Sequence, residues 1–265
     1  MVSVSLAVAA ALYGVGLVRL WRRAGVGRGI SLWQAASFVL AWLTLATALA
    51  SPLDDWSEHL FAAHMLQHEL LMVVAAPSVA LSSPLTAFAW AFHRTRLPIN
   101  AVLRPIGRST GALWAGFACV LHAVALWGWH IPALYDAALA HEAVHAAQHL
   151  SFFGTAALFW WVLVHGRCGR AGYGAAVLFV FGTALHSGFL GALLALSPRI
   201  WYAPYATSSA LWHLSPLEDQ QLAGLIMWVP ASVVFAAAGL TFLLAWLRDS
   251  ARRLEVWDRT RTTVS

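Results

Sequence analysis

Lysine is absent from this chain, and acidic residues are scarce. All 16 basic residues among the 265 are arginine, and they face only 11 Asp and Glu. Charged residues make up 10% of the sequence and hydrophobic ones 60%, with a mean hydropathy of +0.70. A water-soluble domain is usually about 45–50% apolar and about one quarter charged. A chain this poor in charge cannot dress one core in a polar surface, which excludes an ordinary cytosolic enzyme. It is also too apolar to be disordered and has no collagen-like period. Cysteine is nearly lacking. Cys119 lies in an apolar run and Cys168 in a short Arg-flanked loop, and neither belongs to a C-x-x-C pair. A disulfide framework and thiolate metal chemistry are therefore disfavoured. No nucleotide-binding loop and no nucleophile–base spacing occur, so the sequence gives no sign of an enzyme.

Long hydrophobic runs are what the sequence has in abundance. A bilayer core about 30 Å thick takes about 20 apolar residues in a helix. Seven runs meet this length, at roughly 2–20, 30–50, 59–81, 110–131, 142–165, 172–197 and 219–247. The expectation is an all-α polytopic membrane protein, a seven-transmembrane-helix bundle forming one domain over residues 1–265. Arg19, Arg22, Arg23 and Arg28, then Arg94, Arg96, Arg104 and Arg108, then Arg167 and Arg170, then Arg248, Arg252, Arg253, Arg259 and Arg261 fall in alternating connections. The opposite side has Arg199 alone. Positive charge stays cytoplasmic during insertion. This predicts the N-terminus outside and the C-terminus cytoplasmic. The basic balance is thus a topology signal, with membrane lipid and not nucleic acid as the implied surroundings. The first run lacks a basic start and precedes its Arg cluster, unlike a cleaved signal peptide.

Twelve histidines outnumber the acids, and they are not scattered. The third run holds His64 and His68 in HMLQHELLM, and the fifth holds His141, His145 and His149 in HEAVHAAQH. Four-residue steps advance only about 40° round a helix, so each set shares one face. His122 and His130 lie on the fourth run and His186 on the sixth. At about 1.5 Å per residue, His64, His68, His122, His149 and His186 sit roughly 9–16 Å below the outer ends of their helices. His93 and His165 fall on the Arg side as boundary residues. Ionisable groups inside a membrane are costly and usually mark a site. Imidazole suits Cu, Zn and Fe, and a thioether suits Cu(I). The candidate metal ligands are therefore His64, His68, His122, His145, His149, His186 and Met72, which follows His68 by four residues. Met65 and Met227 lie at similar depth. Glu69 is the one acid inside an apolar run, about 100° round the helix from His68. Glu218 and Asp219 open the last run, where they complement a helix dipole or draw a cation. The aromatic residues Trp56, Trp127, Trp129, Trp201, Tyr202, Tyr205 and Trp212 form an interfacial belt, and the loop from Pro198 to Pro216 caps a site or docks a partner.

The segments HMLQHELLMVVAAP, HIPALYDAALAHEAVHAAQHLSFFGTAALFWW and DQQLAGLIMWVP together resemble the multi-helix CtaG family of cytochrome c oxidase assembly proteins, over about residues 30 to 245. The family's paired histidines match His64 and His68, then His145 and His149. Its sixth-helix histidine matches His186. Its motif at the end of the fourth helix matches His130, Pro132, Tyr135 and Asp136, and its Asp-Gln pair matches Asp219 and Gln220. The resemblance implies a multi-pass protein of the bacterial plasma (inner) membrane that matures haem–copper oxidases. Copper would be supplied to oxidase subunits from an outer-face copper donor. The residues alone leave two other readings open. One is a haem-binding electron-transfer or haem-handling protein, with two histidines as axial ligands. The other is a transporter with the imidazoles as relays, although no inverted repeat supports it.

Overall fold

The computed structural model describes residues 2–92, 111–166, 172–206 and 212–262. His93, Arg94, Arg96, Arg104, Arg108, Arg167, Cys168 and Arg170 lie outside the described residues. Every regular element among the described residues is helical: α1 Val2–Ala24, α2 Leu32–Leu49, α3 Pro52–Ser57, α4 Phe61–Glu69, a π-helical turn Leu70–Ala75, α5 Ala76–Leu81, α6 Pro84–Ala91, α7 Gly111–Trp129, α8 Pro132–Ala140, α9 Glu142–His165, α10 Gly172–Leu196, a 3₁₀ turn Ala203–Ala206 and α11 Pro216–Thr262. Six helices (α1, α2, α7, α9, α10 and α11) are long and apolar enough to cross a membrane. A seventh span exists if Phe61–Leu81 and Pro84–Ala91, bent by 58°, are taken as one. The described residues are therefore all-α with six or seven candidate spans. Leu113, Leu150, Leu178 and Leu196 are each at least 70% exposed. Apolar surface on that scale around a bundle calls for lipid.

The broken third span has a local cause. In a π turn each carbonyl bonds the N–H five residues on, and Ala76 accordingly donates to Leu71 O. For Met72 that partner would be Pro77, which has no N–H. Trp160 on α9 fills the gap by donating its indole N–H to Met72 O at 3.2 Å. The bend itself falls at Ser83, which adopts a left-handed φ of 52°. Its hydroxyl accepts from Gln34 Nε2 at 2.7 Å, and Gln34 also completes a capping box with Ser31 at the start of α2.

The α10–α11 pair forms the most extensive helix contact. Gly224 makes it possible, since a Cβ there would come within 2.4 Å of Ala195 N and 2.6 Å of Gly191 O. Small residues that let backbones approach closely are the usual means of packing helices in lipid. One large apolar core joins α4, α5 and α7–α11, and a small one ties α1 to α6 through Tyr13, Leu20, Ile30 and Ala87. The ends of α2, α7 and α10, the whole of α3 and α8, and the starts of α4, α9 and α11 gather at one end of the bundle. The candidate site sits just inside that end.

Candidate metal centre

α4 starts without a side-chain cap of its own, because Leu60 occupies the N-cap position. Asp219 of α11 supplies the missing acceptor. Its Oδ2 takes Phe61 N–H and its Oδ1 takes Ala62 N–H, both at 2.9 Å, and the residue is fully buried. The carboxylate also complements the positive end of the α4 dipole. Glu218 serves α11 itself, in a capping box with Ser215. The two acids are therefore helix caps, and Asp219 fixes the turn from which His64 projects. Gln220 holds the neighbouring strap, accepting from Trp201 N at 2.7 Å and donating to Arg199 O at 2.9 Å.

Against this anchored turn, α9 presents its own stripe. One ring nitrogen each of His64, His145 and His149 lie within 4.8 Å of one another. The ring centroids of His64 and His145 are 5.2 Å apart and those of His145 and His149 4.2 Å. His68 joins from one turn below, 4.3 Å from His64 and 5.2 Å from His149. Nε2 of His64, His145 and His149 and both ring nitrogens of His68 are buried without a partner among the described residues. An unpaired buried polar atom costs about 1–3 kcal/mol, so five in one pocket need a further partner. A metal ion fits that requirement. Imidazole nitrogens bind Zn or Cu at about 2.0–2.1 Å, and ring nitrogens within 4.8 Å of one another are compatible with a shared ion.

A roof of aromatic side chains covers His64. Tyr205 donates to Ser57 O at 2.9 Å, and its oxygen lies 3.2 Å from His64 Nδ1 and 3.3 Å from the Tyr135 hydroxyl. A carbonyl only accepts, so the Tyr205 hydrogen is committed to Ser57. The Tyr205 oxygen then accepts from Tyr135 and from His64 Nδ1–H. That leaves His64 Nε2 with its lone pair, the tautomer a metal needs. Burial pushes the phenols of Tyr135, Tyr202 and Tyr205 up from their ordinary value, so the network keeps its protons. Phe61 and Tyr202 complete the roof, and Tyr202 donates to His130 O at 2.9 Å. Tyr202 and Tyr205 are thus interior residues and not part of an interfacial belt, whereas Trp56 and Trp212 make an exposed edge-to-face pair at 5.6 Å.

The remaining sequence candidates separate from this cluster. His122 on α7 has Nδ1 3.0 Å from Thr155 Oγ1, whose hydrogen goes to Ser151 O, so His122 donates. His186 on α10 is half-buried, and neither ring nitrogen has a partner among the described residues. Among the described ring contacts none joins His122 or His186 to the four-histidine group. Met72 is buried in the same apolar core that holds Met65 and Met227. Glu69 is buried, and one of its carboxyl oxygens has no partner among the described residues. Sequence reasoning did not single out Gln67, which is fully buried and donates to Ala48 O at 2.6 Å and Asp54 Oδ1 at 2.7 Å. It placed Tyr205 in the interfacial belt and a capping loop and did not pair it with His64, since an irregular loop has no periodicity to mark a face. His130 is also buried, donating from Nδ1 to Leu126 O at 2.7 Å, and its Nε2 has no partner among the described residues.

Fold and site together define a multi-helix membrane chain with an imidazole cluster inside one end of its bundle. The chain belongs to the family described as cytochrome c oxidase caa3 assembly factor (Caa3_CtaG), whose profile matches residues 11–249. Neither a curated protein nor a solved structure matched the chain.

Proposed function

We propose that this assembly factor carries copper as cargo, held by His64, His145 and His149 with His68 beside them, and delivers it to a cytochrome c oxidase subunit. The observation that carries this reading is the convergence of three imidazoles from two helices, each with an unpartnered buried nitrogen. Cytochrome c oxidase is a haem–copper enzyme, so an assembly factor with a nitrogen-rich metal pocket is suited to its copper supply. The role is non-catalytic: the pocket binds and releases an ion. The Arg distribution supports placing the N-terminus outside and the C-terminus in the cytoplasm of a bacterium. The four-histidine end then faces outward, towards a copper donor. His122, His186 and Met72 are left outside the ligand set, and the whole chain acts as one membrane domain. Three imidazoles packed against one another suit a bare ion better than a porphyrin, which needs open space between two axial ligands.

The test is copper analysis of the detergent-purified protein after copper loading, beside His64→Ala/His145→Ala/His149→Ala. Stoichiometric copper in the parent and its loss in the triple variant are expected. Equal copper in both overturns the reading, and a Soret band dependent on the same histidines replaces copper with haem.

A further inference from the structure

The roof that orients His64 also closes the direct way in. Phe61, Tyr135, Tyr202 and Tyr205 are all buried over the cluster from the end of the bundle, and their rings contact one another. The imidazoles meet open space on another side. A cavity of about 320 Å³, partly open to the outside, lies between the α2–α3 corner and the first turns of α9. Its walls include Leu49, Asp54, Glu142, His145, His149 and Phe153. Its polar groups grade inward. Glu142 is exposed and Asp54 half-buried, while Nε2 of His145 and of His149 is buried and unpartnered. Asp54 is set in place by Gln67, which reaches it at 2.7 Å while its amide also holds Ala48 O at the end of α2. Asp54 lies within electrostatic range of His145.

We propose that a metal cation enters and leaves the triad sideways, through the cavity between α2–α3 and α9, with the Asp54 and Glu142 carboxylates drawing it in and His145 as its first imidazole. This route rests on the copper-binding reading and adds to it a path, a pair of guiding residues and a direction. The carboxylates raise the local concentration of cations at the opening, an attraction that added salt screens. Gln67 is a positioning residue, acting through Asp54. None of the roof residues lines this cavity, so cargo passes to its recipient beside the aromatic roof and not across it.

Stopped-flow copper loading of the full chain in detergent tests the route, with the final copper content read separately. Ala146, exposed and lining the cavity, is enlarged as Ala146→Trp. Ala206, exposed on the strap beside the roof, is enlarged as Ala206→Trp. Ala146→Trp is expected to slow loading at least tenfold while reaching the parent's final copper content, and Ala206→Trp to load at the parent's rate. Asp54→Asn/Glu142→Gln is expected to slow loading several-fold in low salt, with the difference vanishing in high salt. Unchanged loading in Ala146→Trp, or slowing confined to Ala206→Trp, overturns the side route while leaving the triad standing. Absence of copper from the unmodified protein overturns the parent reading and the route with it.

Discussion

His64 uses its two ring nitrogens for different tasks. Nδ1 gives its hydrogen to Tyr205, whose own hydrogen is fixed on Ser57 O, and Nε2 is left bare inside the cluster. Removing an outer hydrogen-bond partner of a ligating histidine typically costs about 10–100-fold in metal affinity. Tyr205→Phe keeps the ring packing against Phe61 and deletes only the hydroxyl. Its copper affinity, measured by competition with a chromogenic chelator, should fall by about that factor while the helical content is unchanged. At the same scale Asp219 has a role that its position in the sequence disguises. It opens α11 in the chain but satisfies two N–H groups of α4, 157 and 158 residues away. Asp219→Ala strands both donors in a buried site. A destabilisation of about 2–4 kcal/mol is expected from the lost cap and the unpaired groups, read as a lowered thermal midpoint in detergent. Asp219→Asn, which retains an acceptor oxygen, should recover part of it.

At the scale of elements, the π turn decides how the third span presents its faces. Widening the turn lets Pro77 sit inside a helical segment, and the carbonyl this strands is met by Trp160 of α9. The same helix, α9, carries His145 and His149. The bond therefore ties the two histidine-bearing segments together on the far side of the cluster, through the π turn that follows α4. Trp160→Phe leaves Met72 O without a donor in an apolar core and should cost about 1–3 kcal/mol. Pro77→Ala restores a local N–H. A double-mutant cycle between the two positions should show coupling, with Trp160→Phe costing less in the Pro77→Ala background than in the parent. Additive effects would break the link between the proline and the π turn. The third run was legible as a hydrophobic segment, and its proline was visible. The interruption itself was not, because it depends on a tryptophan 88 residues away that stabilises the alternative hydrogen bonding.

At the scale of the whole molecule, a copper ion held as proposed would link α4 and α9 through their histidines at one end of the bundle. A ligand that binds the folded state alone stabilises it by about 2.7 kcal/mol at one hundred times its dissociation constant. Copper should therefore raise the thermal midpoint of the parent, a copper chelator should reverse the rise, and the triple histidine variant should show neither effect. Protons and the ion compete for the same neutral imidazole nitrogens. Lowering the pH through the ordinary histidine value of about 6.5 should weaken binding and shrink the copper-induced stabilisation. A stabilisation that stays constant from mildly acidic to neutral pH would show that the ion sits elsewhere.

The sequence by itself determined the class of molecule: charge so sparse, with apolar runs so long, leaves a helical membrane protein. It also placed His64, His68, His145 and His149 on shared helix faces, because a four-residue step is a local property of any helix. Which faces meet was beyond it. Histidines at one depth looked like a single group, yet ring contacts between α4 and α9 join four of them and leave His122 and His186 on α7 and α10 apart from the group. Depth follows from counting residues along one helix, whereas contact follows from the order and rotation of neighbouring helices. Those are set by small-residue approaches such as Gly224 on Gly191 and by long-range bonds such as Asp219 to α4. The tyrosine roof and the side cavity were decided at that level too, since both are assembled from segments that no spacing in the chain connects.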